Sequence, residues 1–218
     1  MHDTNTDHLS TRARTLLDEQ KRDWELARNN YEALRKVETR SIHIDDFTMR
    51  LQFNPARIVS SGAKIDPKTI AARKCFLCAE NRPKEQTSLA FGDDYLVLVN
   101  PFPIFPEHFT IPNNAHVLQR IEGNFADLLR LAQAMSPRYT VFYNGSKAGA
   151  SAPDHLHFQA GDRGFMTIES EVDRLKGNPI AARGVANVYA VKSIRPFLLI
   201  ESKDAADSIA AFDAVYNA

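Results

Sequence analysis

The pentapeptide HLHFQ at residues 155–159 constrains the fold of this chain more than any other segment. Side chains two residues apart on a β-strand share a face. A strand here would therefore present His155, His157 and Gln159 on one face, with Leu156 and Phe158 directed into the core. Three polar side chains on one face of an apolar strand indicate either a functional site or an edge strand whose polar face meets water.

The loop before this strand is rich in glycine. Four of the nine glycines, Gly145, Gly149, Gly161 and Gly164, fall within one window of 20 residues. Such clustering is typical where the backbone turns sharply or approaches a ligand. Backbone N–H groups of the segment NGSKAGAS, residues 144–151, can cradle phosphate oxygens. A histidine beside such a cradle is a candidate nucleophile, because neutral imidazole can attack phosphorus and form a phosphoramidate.

The only two cysteines, Cys75 and Cys78, form one C-x-x-C motif. Two cysteines are too few for a secreted disulfide framework, so the motif indicates metal or redox chemistry, or two unligated thiols in a loop. The redox interpretation is weakened because no helix obviously starts at the second cysteine. A Zn²⁺ site would need two more ligands from distant histidines, and the candidates are His108, His116 and His155.

The overall charge excludes some function classes. Lys and Arg number 27, as do Asp and Glu, so the net charge is zero. This balance argues against proteins that coat nucleic acid or membrane surfaces, and it requires that any anionic ligand be held by local positive groups. The sequence has no apolar run of transmembrane length, and its first residues, MHDTNTDHLS, lack a signal-peptide core. We expect a cytoplasmic protein without nucleic-acid or membrane partners.

The periodicity of apolar residues predicts an α+β protein. Helices are expected at residues 10–37, 124–135, 168–176 and 204–216. Strands are expected at residues 41–54, 95–100, 108–111, 138–144, 155–161, 185–191 and 197–202. The chain has 218 residues, which suits one domain with a core that needs no disulfide.

Taken together, these motifs resemble the transferase branch of the histidine-triad superfamily. This branch includes galactose-1-phosphate uridylyltransferase, diadenosine tetraphosphate phosphorylase and GDP-hexose phosphorylase. CFLCAEN, residues 75–81, resembles the uridylyltransferase zinc knuckle, and the glycine-rich loop with HLHFQ resembles the phosphate loop and active strand. NPFPIFPEHFTI, residues 100–111, is similar to the strand-turn-strand of the dinucleotide phosphorylases, and FNPARIVSSGAK, residues 53–64, resembles an early phosphate-binding strand. The resemblance covers residues 50–162.

The resemblance implies a histidine-triad-like α+β fold, with a central antiparallel sheet flanked by helices. His157 would be the nucleophile and Gln159 would hydrogen-bond the phosphoryl oxygens. Asn100 would lie near the ribose. The phosphate site would be lined by Asn144, Gly145, Gly149 and Ser151.

The resemblance also implies how metal and charge are supplied. A structural Zn²⁺ would be held by Cys75, Cys78, His116 and His155. Positive charge for the phosphates would come from three residues in stretches that resemble phosphate-facing segments of the family. These are Arg57, Lys64 and Lys147, each of which is alternatively a solvated surface charge.

The expected function is nucleotidyl transfer through a covalent histidine intermediate. The substrate would be a nucleoside-diphosphate sugar or a dinucleoside polyphosphate, and the acceptor phosphate or a sugar phosphate. The alternatives are a histidine-triad hydrolase and a zinc-stabilised nucleotide-binding module without turnover. We expect an N-terminal helix over residues 1–40 and a nucleotidyltransferase domain over 41–218. Members of the branch usually carry a second, related half, so this chain would match the first half of that architecture. They also commonly form dimers, which makes a homodimer one expected assembly.

Overall fold

A five-stranded antiparallel sheet forms the centre of the protein, in a computed structural model that describes residues 8–45, 47–57 and 66–218. Its strand order is β3-β4-β5-β7-β6. The strands are β3 (Ser88–Phe91), β4 (Tyr95–Val99), β5 (His108–Pro112), β6 (Tyr139–Phe142) and β7 (His157–Asp162). Strand β7 lies between β5 and β6, so the HLHFQ segment leads into an interior strand of the sheet.

One face of this sheet carries the main core. Val99, Phe109 and Ala160 are neighbours across three strands and are fully buried. The pair formed by Ile111 and Phe158 is also fully buried. This alternation is the one expected from the sequence, because the period of side chains along a strand is two. The opposite face carries His157 and Gln159. The α+β class with an antiparallel sheet is confirmed.

Two N-terminal helices pack on the core face, where the sequence predicted one continuous helix. Helix α1 (Leu9–Asp23) and helix α2 (Glu25–Leu34) are separated by Trp24, whose backbone is extended at φ −113° and ψ 107°. A straight helix over residues 10–37 would be about 42 Å long, whereas five strands span only about 24 Å. The break turns the chain, so that Trp24 and Tyr31 reach the same core as Leu17.

Further helices flank the sheet. Helix α3 (Pro67–Ala72) precedes the cysteine motif, and helix α4 (Phe125–Met135) buries Leu131 and Met135 in the main core. Helix α5 (Ile168–Leu175) follows β7. The expected helices at 124–135 and 168–176 are therefore present within one residue, whereas α3 and β3 were not expected.

Two smaller sheets complete the described structure. Strands β1 (Glu38–Ile44) and β2 (Phe47–Phe53) form a hairpin, which is tied to helix α5 by a hydrogen bond of 2.6 Å from the Thr48 amide to Glu171. Strands β8 (Ala181–Arg183), β9 (Ala186–Val191) and β10 (Phe197–Glu201) form the other sheet, against which helix α6 (Ala205–Tyr216) packs.

Within residues 8–45, 47–57 and 66–218, none of the helices is both long enough and apolar enough to traverse a bilayer.

Candidate active site and metal cluster

Strand β7 places His157 and Gln159 on the face of the sheet opposite the core. His157 pairs with Pro112, and Gln159 lies between Thr110 on β5 and Phe142 on β6. His155 precedes the strand, because β7 begins at His157. The expectation that all three polar residues belong to one strand therefore holds only for His157 and Gln159.

The ring of His157 is oriented by the backbone of His155. Its Nδ1 atom lies 2.8 Å from the carbonyl oxygen of His155. A carbonyl can only accept, so Nδ1 carries the proton and, in the neutral ring, Nε2 carries the lone pair. Burial of His157, which is 6% exposed, lowers its pKa and favours that neutral form. Nε2 has no hydrogen-bond partner among the described residues. The burial also shows that the water-exposed edge-strand interpretation is wrong.

A buried glutamine joins His157 to the glycine-rich loop. The His157 amide donates to Gln119 Oε1 at 2.7 Å, and Gln119 Nε2 donates to the Asn144 carbonyl at 2.8 Å and to the His157 carbonyl at 3.1 Å. Asn144 follows β6 at the level of His157, because Phe142 pairs with Gln159. Nothing in the sequence indicated Gln119, since it lies in an irregular segment without periodicity.

The glycine-rich loop begins beside His157 and ends near the cysteine motif. Its first turn is closed by the Ala148 amide, which donates to the Gly145 carbonyl at 2.9 Å. Gly149 has φ +94°, a conformation that L side chains rarely adopt. Lys147 is exposed, and the Ser151 carbonyl accepts a hydrogen bond of 3.3 Å from Arg73.

The remaining residues that were expected to bind substrate, Asn100, Arg57 and Lys64, do not lie in the glycine-rich loop. Asn100 uses its side chain within the protein, donating to Thr110 Oγ1 at 3.0 Å and accepting from the Phe102 amide at 2.9 Å. Arg57 is partly buried, which lowers its pKa. Its positive charge contributes to lowering the pKa of His108, the residue that contacts Gln159. Lys64 lies outside the described residues.

The cysteine motif forms a tight turn. The Cys78 amide donates to the Cys75 carbonyl at 3.3 Å, and the Asn81 side chain donates to the same carbonyl at 3.0 Å. Short helical turns of this kind let two side chains from one turn point to a common centre. Cys75 is buried, whereas Cys78 is partly exposed.

Two histidines complete a four-residue cluster with these cysteines. His155 Nδ1 lies 3.3 Å from Cys75 Sγ and 3.6 Å from Cys78 Sγ, and His116 Nδ1 lies 3.2 Å from Cys78 Sγ. All four donor atoms lie within 4.8 Å of one another. A tetrahedral ion bound at 2.0–2.3 Å spaces its ligands by roughly 3.3–3.8 Å, so this cluster can hold a metal ion. Of the three candidate histidines, His108 is the one that does not join it.

Charge in the cluster favours a thiolate at Cys75. Burial opposes ionisation of this thiol, but hydrogen bonds from His155 and from the Leu77 and Cys78 amides outweigh burial and lower its pKa to about 6. Burial and the neighbouring Cys75 raise the pKa of Cys78 to about 11. One thiolate is thus available for a cation. A cation bound by all four residues would displace the proton of Cys78 and also the proton that His155 Nδ1 donates to Cys75.

Both histidines of the cluster have further partners. His155 Nε2 lies 2.8 Å from the Asn113 carbonyl, so that nitrogen donates and Nδ1 faces the cysteines. Asp154 lies 3.8 Å from His116 Nε2 and accepts a hydrogen bond of 2.8 Å from Arg73. Carbonyls and carboxylates beside metal-binding imidazoles orient them; here the Asn113 carbonyl does so through a hydrogen bond, whereas Asp154 lies beside His116 beyond hydrogen-bond distance. The adjacency of Asp154 to His155 was the one signal in the sequence for this role.

Comparison with known proteins finds a matching family and several similar solved structures. Residues 16–162 match the family model described as a domain of unknown function, DUF4922. No match is found among curated proteins. Yeast Ap4A phosphorylase Apa2 in complex with AMP is 18% identical with a TM-score of 0.48, and the match covers 90% of this chain and 69% of that one.

Two further structures of the same yeast enzyme are similar. The complex with Ap4A is 17% identical with a TM-score of 0.42, covering 79% of this chain and 65% of that chain. A third structure of the enzyme, whose description names no ligand, is 18% identical with a TM-score of 0.46, and the match covers 75% of this chain and 61% of that chain. This chain thus spans about two thirds of the length of the yeast enzyme. The matched family segment contains the cysteine motif, the glycine-rich loop and the strand of His157, and the chain belongs to the DUF4922 family.

Proposed function

We propose that the protein is a nucleotidyltransferase of the phosphorylase type, in which His157 forms a covalent nucleotidyl intermediate. The observation that carries the proposal is the hydrogen bond from His157 Nδ1 to the His155 carbonyl, which leaves Nε2 as the basic nitrogen. Gln159 follows two residues later on the same strand face, and the glycine-rich loop begins beside both. A neutral imidazole can act as the nucleophile, and an amide and a loop of backbone N–H groups can stabilise the charge that develops on the phosphoryl oxygens.

The proposed reaction has two displacements. The Nε2 lone pair attacks the phosphorus of the nucleotidyl group, forming a P–N bond while the bond to the leaving group breaks. The leaving group is a sugar phosphate when the substrate is a nucleoside-diphosphate sugar, and a nucleoside polyphosphate when it is a dinucleoside polyphosphate. An oxygen of the acceptor, phosphate or a sugar phosphate, then attacks the same phosphorus and the P–N bond breaks. His157 returns to its starting state. The hydrogen bond from Nδ1 supports the positive charge that the ring carries while it is nucleotidylated.

The identity of Gln159 favours transfer over hydrolysis. In the triad hydrolases a third histidine occupies this place, and an amide cannot shuttle a proton as imidazole can. Water therefore lacks a general base at this position, whereas phosphate arrives already ionised. Hydrolysis is the alternative enzymatic function, and nucleotide binding without turnover is the non-enzymatic alternative.

We further propose that the four-residue cluster holds a structural zinc ion through Cys75, Cys78, His116 and His155. The donor set of two sulfurs and two imidazole nitrogens is one that zinc favours, and four protein ligands leave no open position. When bound, zinc would neutralise the thiolates and hold His155, whose carbonyl orients His157.

For the substrate, we propose a dinucleoside polyphosphate or a nucleoside-diphosphate sugar. The yeast structures name Ap4A and AMP, and these are the first ligands to test. Phosphate contacts are proposed for Arg57, Lys64 and Lys147 and for the loop residues Asn144, Gly145, Gly149 and Ser151, with Asn100 near the ribose. We also propose an N-terminal helical segment over residues 1–40, a nucleotidyltransferase domain over residues 41–218, and a homodimer.

The test is incubation of the purified protein with Ap4A or a nucleoside-diphosphate sugar, in the presence and absence of phosphate. We expect a nucleoside diphosphate to form only when phosphate is present. Without an acceptor, mass spectrometry of quenched protein should find one acid-labile nucleotidyl adduct at His157. The His157→Asn variant should form neither product, whereas His43→Asn, which alters an exposed histidine, should behave as the parent protein.

Each alternative has its own outcome in this experiment. Release of a nucleoside monophosphate without phosphate would establish the hydrolase. Nucleotide binding without product or adduct would establish the binding module. An adduct on another residue would overturn the role of His157.

A further inference from the structure

His108 is a buried histidine that lies directly beneath the candidate active site. It is 1% exposed and pairs across β5 and β7 with Gly161. The rings of Phe105 and Phe142 flank it, at centroid distances of 5.1 Å and 6.3 Å. Its Nε2 lies 3.0 Å from Gln159 Oε1. Most buried polar atoms have a hydrogen-bond partner, and both ring nitrogens of His108 have one, at Ile104 and at Gln159.

The proton on this ring can be located from its two partners. The Ile104 amide donates to His108 Nδ1 at 3.2 Å, and an amide N–H can only donate. Nδ1 must therefore carry the lone pair, and Nε2 must carry the proton. Burial lowers the pKa of His108 to about 3, so the ring stays neutral with this single tautomer at physiological pH.

The tautomer of His108 dictates the orientation of the Gln159 amide. Because Nε2 of His108 donates, the atom of Gln159 that faces it must be the carbonyl oxygen. The amide NH₂ group then points away from His108, and it has no hydrogen-bond partner within residues 8–45, 47–57 and 66–218. We propose that His108 is a positioning residue that locks Gln159 so that only N–H donors face the phosphoryl oxygens, a proposal that rests on the function proposed above.

This device solves a problem that any glutamine at a phosphate site has. The amide is nearly symmetric in shape, and a rotation of half a turn exchanges its donor for its acceptor. In the reversed state the carbonyl oxygen would face phosphoryl oxygens and repel them. A neutral histidine that can only donate at Nε2 disfavours the reversed state, because Nε2–H would then meet an NH₂ group.

The first experiment reads the tautomer without any nucleotide. NMR of the whole protein labelled with ¹⁵N-histidine should show His108 with an unprotonated Nδ1 and a protonated Nε2 at pH 7. The His108 signal is assigned as the one lost in His108→Gln. A protonated Nδ1 would overturn the proposal whatever the protein binds.

The second experiment measures AMP affinity by calorimetry in a double-mutant cycle. His108→Met removes the donor and should weaken AMP binding about tenfold, the loss of a hydrogen bond to a charged group. His108→Gln keeps one donor and one acceptor and should restore most of the affinity. In a Gln159→Met background, His108→Met should have no further effect, because the residue acts through Gln159.

The two experiments separate failure of this proposal from failure of the proposed function. Additive effects of His108→Met and Gln159→Met on AMP affinity would show that His108 does not act through Gln159, and would overturn the positioning role. The expected tautomer together with no binding of AMP, GMP or UMP to the parent protein would instead overturn the proposed function, and the role of His108 toward a phosphoryl group with it. Equal losses in His108→Gln and His108→Met would also contradict the positioning role.

Discussion

The carbonyl oxygen of His155 accepts the hydrogen bond from Nδ1 of His157 at 2.8 Å, which links the cluster of two cysteines and two histidines to the candidate nucleophile. His155 itself is fully buried, with Nδ1 toward the cysteines and Nε2 on the Asn113 carbonyl. Neither of its nitrogens is available for attack on phosphorus. The cluster therefore positions one histidine, and that histidine orients the next.

We predict that protein purified without added metal contains about one equivalent of zinc. Removing it with a chelator should lower the melting temperature, because a structural zinc ion contributes to folding directly. Elemental analysis and thermal unfolding before and after chelation measure both quantities. Cys75→Ala should purify without zinc. A fully folded parent protein without metal would refute the prediction.

We predict that His155 and His157 differ in their effect on metal content. His157→Asn should retain zinc and change the melting temperature little, because its ring faces the substrate side and asparagine can still donate to the His155 carbonyl. His155→Asn should lose zinc and stability together. Metal analysis and thermal unfolding of the two purified variants measure their zinc content and their stability. Loss of zinc in both variants would show that the two roles are not separate.

Asp154→Asn should weaken zinc binding by about 10- to 100-fold, the usual effect of removing a carboxylate that orients a metal-binding histidine. Asp154 lies 3.8 Å from His116 and is held by Arg73. Competition with a chromophoric chelator measures the affinity. Asp173→Asn is the matched control, since Asp173 forms an exposed ion pair with Lys176 far along the chain. Equal affinity in the parent protein and Asp154→Asn would rule out this role.

Gly161→Ala should destabilise the fold by about 1–3 kcal/mol, as overpacking of a tight core does. A Cβ atom at Gly161 would lie 2.4 Å from the Phe105 ring, which also flanks His108. Urea unfolding measures the change in the free energy of unfolding. Gly177→Ala is the control, because a Cβ atom there meets nothing within 4 Å. A Gly161→Ala variant as stable as the control would contradict the close approach of Phe105.

Acid should destabilise the protein partly through His108. Its pKa is about 3 in the folded state, because of burial, and about 6.5 in the unfolded chain. Between these values the unfolded state binds one more proton, so this residue lowers the free energy of unfolding by about 1.4 kcal/mol per pH unit as the pH falls from 6.5 towards 3. Urea unfolding between pH 7 and pH 5 should therefore show a shallower decline in His108→Gln. If the free energy of unfolding fell equally with pH in the parent protein and in His108→Gln, the result would contradict this contribution of His108.

Several local features followed from the sequence because they depend on near neighbours. Leu156, Phe158 and Ala160 are buried as expected, since alternation along a strand needs no information from elsewhere. The helix at 125–135 and the C-terminal helix at 205–216 match the periodicity of their own residues. The cysteine turn is likewise a local structure. Resemblance to a family then supplied a set of four expected metal ligands that spacing alone had left open, and the structure brings their donor atoms within 4.8 Å of one another.

The tertiary structure decided the features that join distant parts of the chain. The strand order separates His108 from the cysteines and places it under Gln159, because β5 pairs with β7 in a register that sets His108 opposite Gly161. The same packing breaks the N-terminal helix at Trp24 and inserts Gln119 between His157 and the glycine-rich loop. By itself the sequence determined which residues alternate between the two faces of a strand, which form local turns, and which are candidates for chemical roles. Only the tertiary structure decided which of them meet, because strand register and the packing of buried side chains depend on contacts across the whole chain.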